Sequence, residues 1–401
     1  MLNRYEIRRS MQTVTVHASR QYDVVIGQGL LQQAGRRIAA AIGCAVPDDM
    51  IPETAGPGTG ADLKGEGRKP GPKAAGLQEP TRGKTAMLVS DDRVYALYGE
   101  TVRTSLENAG FRVLDFVFPH GEASKNLQTY GALLGRMCAG HMSRTDVVAA
   151  LGGGVTGDLA GFAAATYQRG TGFVQIPTSL LAAVDSSVGG KTAVDLPEGK
   201  NQAGCFYQPS LVLCDTNTLD TLPEEEYKNG CAEIIKYGMI GDRDFFFTLL
   251  KSPVREHYED VIARCVAMKR DVVEQDEFDT GLRMLLNFGH TFGHAVEACS
   301  AYSVPHGQAV AIGMASIARA ACRFGFCTGD VPETVGKILD AYGLPTELPY
   351  RAQALADAAL SDKKAQGGSI RLIVPAEIGR CLIEKVSRED LTQWLRAGGA
   401  L

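Results

Sequence analysis

Strand-like and helix-like patterns alternate along the first half of this 401-residue chain, and this alternation constrains the fold more than any other feature. Short β-branched runs that are separated by helical stretches are typical of a parallel sheet with helices on its faces. The sequence predicts strands at 13–18, 22–26, 86–90, 112–118, 146–151, 173–176 and 211–214, with helices at 94–109 and 127–139.

From about residue 223 the pattern changes to long helical runs. We therefore expect an α/β domain over residues 1–215 and a mainly helical domain over residues 216–401, with a binding cleft between them. The predicted helices of the second domain are 224–240, 244–251, 254–275, 281–298, 307–325, 331–342, 352–361 and 388–396, with a strand pair at 370–374 and 380–384.

One segment of the first domain has a different composition. Residues 52–83 hold eight glycines and five prolines, and their apolar content is mainly alanine with two leucines. Such a segment cannot bury enough surface to offset the entropy of ordering it. We therefore predict a flexible insertion over about residues 48–84, and we expect deletion of residues 52–83 to leave folding and activity nearly intact.

Composition and charge exclude several classes of protein. The net charge is −5 with lysine and arginine spread along the chain, so no basic patch predicts nucleic-acid binding. The start lacks the apolar region of a signal peptide, and no apolar stretch approaches the roughly 20 residues of a membrane span. The ten cysteines are scattered without a Cys-x-x-Cys pair. We expect a cytoplasmic protein with reduced thiols.

Three of the seven histidines fall within seventeen residues. His290 and His294 are four apart and share one face of a helix, and His306 precedes an apolar run that predicts a buried helix. Converging neutral imidazoles suit a metal such as zinc, although a core helix with two satisfied histidines is the alternative. Thr291 follows His290, so the His-Glu-x-x-His pattern of metalloproteases is absent.

A carboxylate and a lysine lie three apart in an apolar helical pattern at residues 230–238. Glu233 is the best candidate for a carboxylate ligand, and Lys236 shares its helix face. The alternative is a surface ion pair worth a few tenths of a kcal/mol.

The strand at 146–151 runs into a glycine-rich segment that contains Gly-x-Gly-x-x-Gly before a helix. Such glycines let backbone N–H groups approach a pyrophosphate at a helix N-terminus. The acidic residue that usually follows about twenty positions later is absent, because the next strand ends in Pro177, Thr178 and Ser179. The alternative is a tight turn without a ligand.

The segment Gly189 to Thr192 resembles the end of a Walker A loop, but Asp185 stands where that loop requires its first glycine. An NTPase is therefore disfavoured. Lysines and an asparagine in glycine-rich loops are good anion ligands. Together with a dinucleotide cradle and a metal site, they predict a redox step on a small substrate with two or more negative charges. The candidate cations are Arg169, Lys191, Lys200, Lys236, Lys269, Arg283, Lys363 and Lys364.

Four segments carry a family resemblance: ALGGGVTGDLAGFAAATYQRG, QIPTSLLAAVDSSVGGKTAVD, EIIKYG, and LLNFGHTFGHAVE with the later His306-Gly307. They resemble the 3-dehydroquinate synthases of the shikimate pathway, from about Val14 to Leu395 apart from residues 44–84. The resemblance implies NAD in the α/β domain and a homodimer. It also implies Zn²⁺ or Co²⁺ held by Glu233, His290 and His306, with His294 serving the substrate.

The resemblance also implies roles for further residues. For NAD these are Asp91, Gly121, Glu122, Ala123, Ser124, Lys125, Gly154, Val155, Thr156, Gly157, Asp158, Thr178, Ser179, Lys191, Lys200, Thr218, Leu219, Asp220 and Thr221. For the substrate they are Asp185, Lys191, Lys200, Asn201, Lys236, Lys269, Arg283, Asn287, His294, Lys363 and Lys364, with Arg169 reaching in from a partner subunit. Three positions depart from the family pattern: Arg93, His120 and Asp279.

The implied substrate is 3-deoxy-D-arabino-heptulosonate 7-phosphate. Transient oxidation by NAD, elimination of phosphate, re-reduction, ring opening and an intramolecular aldol closure give 3-dehydroquinate. Three rival functions are weighed against it. A polyol dehydrogenase would need fewer cations around its substrate. A cyclase for another sugar phosphate would not need Arg283 and Lys269 to bind a carboxylate. A non-catalytic relic would be expected to have lost a metal ligand or Lys236, and none of these is lost.

Overall fold

The structure is a computed structural model, and it describes residues 11–45, 79–81, 83–362 and 369–401. Its strands are β1 Gln12–His17, β2 Gln21–Gly27, β3 Cys44–Ala45, β4 Glu79–Pro80, β5 Thr85–Asp91, β6 Arg112–Phe118, β7 Val147–Gly152, β8 Gly172–Pro177, β9 Lys191–Leu196, β10 Gly199–Phe206, β11 Leu211–Asp215, β12 Ser369–Glu377 and β13 Arg380–Ser387. Its α-helices are α1 Ala34–Ala41, α2 Asp92–Val94, α3 Glu100–Asn108, α4 Leu127–Ala139, α5 Gly154–Thr166, α6 Glu224–Gly241, α7 Arg243–Leu249, α8 Tyr258–Gln275, α9 His290–Cys299, α10 His306–Arg323, α11 Asp330–Ala341, α12 Ala352–Asp362 and α13 Arg388–Ala397.

Within these described ranges, seven strands form one sheet in the order β1-β2-β11-β8-β7-β5-β6. Only the β1–β2 pair is antiparallel, and every other pairing in the sheet is parallel. The remaining strands form three two-stranded pairs. Helices α6 to α13 follow the last strand of the sheet. This confirms the predicted α/β part with a mostly parallel sheet and the mainly helical part after it. The division at residues 215 and 216 stays a prediction.

Strand β5 shows how the sequence builds the sheet. All but its last residue are buried, and alternate side chains enter two different hydrophobic clusters. Ala86 and Leu88 pack with α1 and α3 on one face, whereas Met87 and Val89 pack with α4 and α5 on the other. A continuous apolar run with β-branched residues is expected for a strand that is covered on both faces.

The order of the strands reverses beside β5. The chain moves from β5 to β6 in one direction, and from β7 through β8 to β11 in the other. The carboxyl ends of these parallel strands lie along the same edge of the sheet. Ligands of α/β proteins bind at such an edge, in the crevice where the strand order reverses. The loops after β5 and β7 are therefore positioned for a cofactor.

Two sequence predictions about local structure are wrong. The predicted helix 281–298 is interrupted, because a 3-10 turn at Leu282–Asn287 is followed by Gly289 with φ +79. The helix restarts at His290 because only glycine adopts this left-handed conformation without strain. Lys191 and Lys200 were predicted in glycine-rich loops, but they lie on β9 and β10, which form an antiparallel hairpin. The hairpin was missed because β10 holds two glycines and several polar residues, which do not form a strand pattern.

Almost all of the predicted insertion lies outside the described residues. Its end is an exception to the prediction of flexibility. Glu79 and Pro80 of β4 pair with Cys44 and Ala45 of β3. Thr81 is fully buried and donates a hydrogen bond to the Ala109 carbonyl at 2.5 Å. The described chain thus resumes with a strand pair at Glu79 and Pro80 and a buried Thr81, and the bounds of the insertion stay a prediction.

The helical part has one hydrophobic core that also reaches β1 and β2 of the sheet. Helices α9 and α10 pack closely against each other, and α10 also packs against α6. Among the described residues, no helix combines the length and the apolar character needed to cross a membrane.

Candidate active site

Three side chains from three helices converge in the helical part. Glu233 lies in the buried middle of α6, His290 is the first residue of α9, and His306 is the first residue of α10. The Nε2 atoms of His290 and His306 lie 3.5 and 3.2 Å from Oε1 of Glu233. One possible ligand atom from each residue lies within 4.8 Å of the other two, so the three residues can reach a single metal ion. We call them the metal-ligand cluster.

Glycines allow the helices of the cluster to approach one another. A Cβ atom on Gly307 would stand 2.4 Å from Cα of Asn229 on α6. A Cβ atom on Gly313 of α10 would stand 2.0 Å from the carbonyl oxygen of Gly289, just before α9. Any larger side chain at either position would separate the helices. The glycine after His306 is thus explained by packing.

The two imidazole rings of the cluster are each held at the outer nitrogen. Nδ1 of His290 lies 3.1 Å from the carbonyl oxygen of Phe288. Nδ1 of His306 lies 3.4 Å from Oε2 of Glu297. These contacts leave both Nε2 atoms facing Glu233. Metal-binding histidines ordinarily have such partners, which fix the tautomer and the orientation of the ring.

Two of the three cluster side chains already have the protonation state that a metal ion requires. Burial lowers the pKa of His290 to about 3, so its ring is neutral at pH 7. Burial alone would raise the pKa of Glu233, but the charge of Lys236 outweighs it and the pKa falls to about 2. Hydrogen bonds with Glu233 and Glu297 outweigh burial at His306 and raise its pKa to about 10. A metal ion would therefore displace a proton from His306 on binding.

His294 lies one turn beyond His290 on α9, as the spacing predicts. Its ring centroid is 5.5 Å from that of His290 and 6.0 Å from that of His306. His294 groups with Glu297 and His306, not with Glu233. The geometry therefore groups Glu233, and not His294, with His290 and His306 as possible ligands of one metal ion. The substrate role of His294 stays a prediction.

A buried line of alternating charges extends from the cluster. Nζ of Lys236 lies 2.5 Å from Oε2 of Glu233 and 3.4 Å from Oδ2 of Asp185. Asp185 also accepts hydrogen bonds from Lys269 and from the hydroxyl of Tyr237, the latter at 2.9 Å. The side chains of Lys236 and Glu233 are 1% and 0% exposed. This excludes the alternative of a solvated surface ion pair.

This line of charges changes the protonation of its members. Burial and the nearby Arg283 lower the pKa of Lys269, against the attraction of Asp185, to about 8. Lys236 and Lys269 outweigh the effect of burial and hold the pKa of Asp185 well below its ordinary value. Lys269 can therefore exchange a proton near neutral pH, which is a property of groups at active sites.

Arg283 and Lys191 bridge the helical part and the segment around β9. Arg283 is 2% exposed and donates from Nη2 to the Gly189 carbonyl at 2.9 Å. Among the described residues its buried Nε has no hydrogen-bond partner. Nζ of Lys191 lies 2.6 Å from Oδ2 of Asp279. Asn287 is half-buried at the end of the turn that carries Arg283.

Lys200 and Asn201 of β10 contact residues near the metal-ligand cluster and residues of the predicted NAD loops, respectively. Nζ of Lys200 lies 3.3 Å from Oε1 of Glu297 on α9. Oδ1 of Asn201 accepts a hydrogen bond from Nζ of Lys125 at 2.5 Å. The same Nζ lies 2.6 Å from Oδ2 of Asp158 in the glycine-rich segment. The hairpin thus connects the surroundings of His306 with the predicted NAD loops.

The predicted NAD-binding residues of the sheet part share one location, beyond the carboxyl ends of the parallel strands. Asp91 ends β5, Gly121–Lys125 follow β6, Gly154–Asp158 open α5 after β7, Thr178 and Ser179 follow β8, and Thr218–Thr221 follow β11.

The glycine-rich segment leaves its helix N-terminus open. Gly153 is the N-cap residue of α5, and no side chain caps the helix. A Cβ atom on Gly153 would lie 3.3 Å from Oγ of Ser179, and one on Gly154 would lie 3.2 Å from Oγ of Ser186. The uncapped backbone N–H groups at this helix start are of the kind that bind a phosphate group.

Some predicted site residues are not brought to this region. Arg169 is exposed with φ +66, and no hydrogen bond or ion pair of the described ranges joins it to the residues above. Lys363 and Lys364 lie outside the described residues. Of the positions that depart from the family pattern, His120 contacts Asp92, with Nδ1 2.8 Å from its Oδ1.

Sequence reasoning missed two residues of the site. Tyr237 donates to Asp185, and Glu297 contacts both His306 and Lys200. Glu297 had a detectable signal, because it follows His294 by three positions and so shares a helix face with the histidines. Tyr237 had none beyond its position next to Lys236.

The family profile described as 3-dehydroquinate synthase N-terminal matches residues 115–229, and the C-terminal profile matches residues 230–365. The 3-dehydroquinate synthase of Caulobacter vibrioides is 41% identical over 397 residues, which cover 95% of this chain and 97% of the relative. The enzyme of Streptococcus sanguinis is 45% identical over 327 residues, 80% of this chain and 91% of the relative.

The chain belongs to the 3-dehydroquinate synthase family. This confirms the family that the four sequence segments predicted, and with it the class of enzyme, a phosphate-eliminating cyclase that acts on a heptulosonate phosphate.

Solved structures share the fold. The complex of 2-deoxy-scyllo-inosose synthase with carbaglucose-6-phosphate, NAD⁺ and Co²⁺ has a TM-score of 0.77 at 22% identity, covering 96% of this chain and 99% of that one. The 2-epi-5-epi-valiolone synthase of Streptomyces hygroscopicus, with NAD⁺ and Zn²⁺ bound, has a TM-score of 0.72 at 27% identity, covering 81% and 99%. Glycerol dehydrogenase of Schizosaccharomyces pombe has a TM-score of 0.59 at 15% identity, covering 97% and 91%, so a polyol dehydrogenase shares only the fold.

Proposed function

We propose that the chain converts 3-deoxy-D-arabino-heptulosonate 7-phosphate to 3-dehydroquinate and phosphate. The observation that carries this proposal is the buried line of charges from Glu233 through Lys236 and Asp185 to Lys269. It sets a metal-ligand cluster beside cations that a substrate with a carboxylate and a phosphate requires.

NAD is the proposed redox cofactor. The uncapped N-terminus of α5 and the glycines at 153 and 154 fit a pyrophosphate, and the crevice at the reversal of strand order fits a dinucleotide. The two synthase structures described above contain NAD⁺. We propose that the residues predicted from Asp91 to Thr221 bind this cofactor.

Zn²⁺ or Co²⁺ is the proposed metal, held by Glu233, His290 and His306. Two neutral imidazoles and one carboxylate are a common ligand set for a catalytic zinc ion, with a position left for the substrate. The two related structures contain Co²⁺ and Zn²⁺ respectively.

The bound metal supplies Lewis acidity at a substrate hydroxyl, and bound NAD supplies reversible hydride acceptance. The side chains of the chain do the rest. Lys236 is held between two carboxylates and keeps a positive charge beside the reacting end of the substrate. Lys269 exchanges protons, since its pKa is about 8. Arg283 and Lys269 bind the substrate carboxylate, and His294 donates a hydrogen bond to the substrate.

The remaining predicted substrate contacts complete the proposed site. We propose that Lys191, Lys200, Asn201 and Asn287 line it from the hairpin and from the turn before α9. Arg169 is exposed, so we propose that it serves the site of a second subunit in a homodimer.

Two further features belong to this proposal. We propose that the protein works in the cytoplasm, because none of the ten cysteines, all of which are described, forms a disulfide. We also propose that the chain divides into its two domains at residues 215 and 216, between β11 and the helical part.

One assay tests the proposed function. The purified protein is incubated with the heptulosonate phosphate, NAD⁺ and Zn²⁺, and phosphate, 3-dehydroquinate and NADH are measured. We expect equal amounts of phosphate and 3-dehydroquinate without net NADH. Net NADH from glycerol-like polyols, with no release of phosphate, would instead indicate a dehydrogenase.

A further inference from the structure

Glu297 is a buried carboxylate that no sequence prediction used. It lies on α9 and is 4% exposed. Its two oxygens face different partners, because Oε2 lies 3.4 Å from Nδ1 of His306 and Oε1 lies 3.3 Å from Nζ of Lys200. The first partner is a proposed metal ligand, and the second is a proposed substrate contact from the sheet part. One side chain therefore connects the two.

The loop between α9 and α10 supports this connection. Two consecutive residues, Ala301 and Tyr302, have φ +50 and +61, a conformation that side-chain-bearing residues rarely adopt. The turn is closed on the backbone of Glu297, whose carbonyl accepts from Tyr302 N at 2.7 Å and from Ser300 Oγ at 2.8 Å. The strained turn therefore fixes the position at which Glu297 stands.

The same turn places a second contact on Lys200. Nζ of Lys200 lies 4.5 Å from the centre of the Tyr302 ring, a distance at which a cation is attracted to the ring face. Oε1 of Glu122 lies 3.9 Å from the same Nζ. Lys200 thus contacts the Tyr302 ring and the carboxylates of Glu122 and Glu297. Of these three partners, Glu297 is the one that also contacts His306.

We infer that Glu297 is a positioning residue that couples the metal ligand His306 to Lys200. A carboxylate at Nδ1 of a metal-binding histidine fixes the ring and increases its basicity, and losing such a partner typically costs 10- to 100-fold in metal affinity. The second oxygen of Glu297 fixes Lys200 at the same time. This inference rests on the proposed function, since it requires a metal at the cluster.

The test compares metal binding in three proteins: the unchanged chain, Glu297→Gln and Asp146→Asn. Asp146 is a matched control, because it is 5% exposed and accepts from Thr85 N at 2.7 Å, yet contacts none of the site residues. Co²⁺ affinity, the rate of Co²⁺ release to a chelator and the visible absorption of bound Co²⁺ are measured without substrate.

We expect Glu297→Gln to bind Co²⁺ in the same stoichiometry, with affinity lowered by about 10- to 100-fold and with an altered absorption band. Asp146→Asn should match the unchanged chain in all three measurements. With Co²⁺ saturating, Glu297→Gln should also show a raised KM for the heptulosonate phosphate, because Lys200 has lost its anchor. A merely structural role would change thermal stability in both variants and the absorption band in neither.

Glu297→Asp provides a second variant in case the first does not fold. It keeps the charge but withdraws the carboxylate by one methylene group, so it should weaken Co²⁺ binding nearly as much. Unchanged Co²⁺ release and absorption in either folded variant would overturn the inference. If the unchanged chain bound no Co²⁺ at all, the proposed metal site would fail first, and the two failures are therefore distinguishable.

Discussion

The glycine-rich segment after β7 and the metal-ligand cluster meet their proposed cofactors with different atoms. The segment offers backbone N–H groups from one short stretch that begins at Gly153. The cluster offers side chains from α6, α9 and α10, and each of them has a charged or polar neighbour. An added Cβ atom within the glycine-rich segment should therefore damage the first site and spare the second, whereas removal of a cluster side chain should do the reverse.

The largest expected effect is the loss of a metal ligand. Removing one of three ligands in His306→Ala should weaken metal binding by on the order of 1,000-fold, roughly a third of a binding free energy of about 10–16 kcal/mol. NAD affinity should change little, because the glycine-rich segment does not use this side chain. Metal analysis and NAD titration of the purified variant check both halves. A metal-replete His306→Ala protein would break the assignment of the cluster.

A smaller effect is expected for His294→Ala. If His294 binds the substrate, metal content should stay at about one ion per chain. The fall in kcat/KM should correspond to a loss of transition-state stabilisation on the order of 2–4 kcal/mol. Metal analysis beside steady-state kinetics decides this point. A metal-free His294→Ala protein would restore the interpretation in which His294 is a ligand.

The glycine-rich segment is tested by Gly157→Ala. The new Cβ atom would stand 2.4 Å from Oε1 of the buried Gln175, so the Gln175 side chain or the helix start must shift, and overpacking of this kind costs about 1–3 kcal/mol. We expect NAD affinity to fall by about 10- to 100-fold with metal content unchanged. Gly135→Ala on α4 is the matched control, because its Cβ atom would meet nothing within 4 Å. Equal NAD affinity in both variants would contradict the proposed role of the segment.

The smallest expected effect is a pH dependence of kcat/KM that arises from Lys269. Lys269 has a lowered pKa of about 8, so it is charged below that pH and loses its charge as the pH rises through 8. Substrate binding by this cation should therefore give kcat/KM a falling limb near pH 8, about tenfold per pH unit above it. NAD affinity should stay level between pH 7 and 9.

Lys269→Arg provides the control for the pH dependence, because guanidinium keeps its charge throughout this range. The falling limb should then move above pH 9. A limb that stays near pH 8 in this variant would assign the titration to another group.

Contiguous motifs gave the most accurate predictions from sequence. The strand, the glycines and the helix start of the segment after β7 lie where the pattern placed them, because hydrophobic period and glycine position act over a few residues. The same holds for the single helix face shared by His290 and His294. The break before α9 was missed because Gly289 is needed for packing against α10, which no local pattern shows.

The least predictable residues act through distant partners. The inferred role of Glu297 depends on its contact with Lys200, which is 97 positions away in the sequence. Lys200 lies on the β9–β10 hairpin, which the sequence pattern did not predict. The proposed roles of Lys363 and Lys364 come from the family pattern and stay predictions.

The sequence by itself determined the alternation of strands and helices in the first part, the helical second part, the family and the glycine-rich segment, because each of these depends on neighbouring residues. Only the tertiary structure brought Oε1 of Glu233 to within 3.5 Å of Nε2 of His290 and 3.2 Å of Nε2 of His306. It also decided that Lys236 is buried between two carboxylates. The physical reason is that both outcomes depend on how closely α6, α9 and α10 approach, and contact between glycine surfaces of separate helices sets that distance.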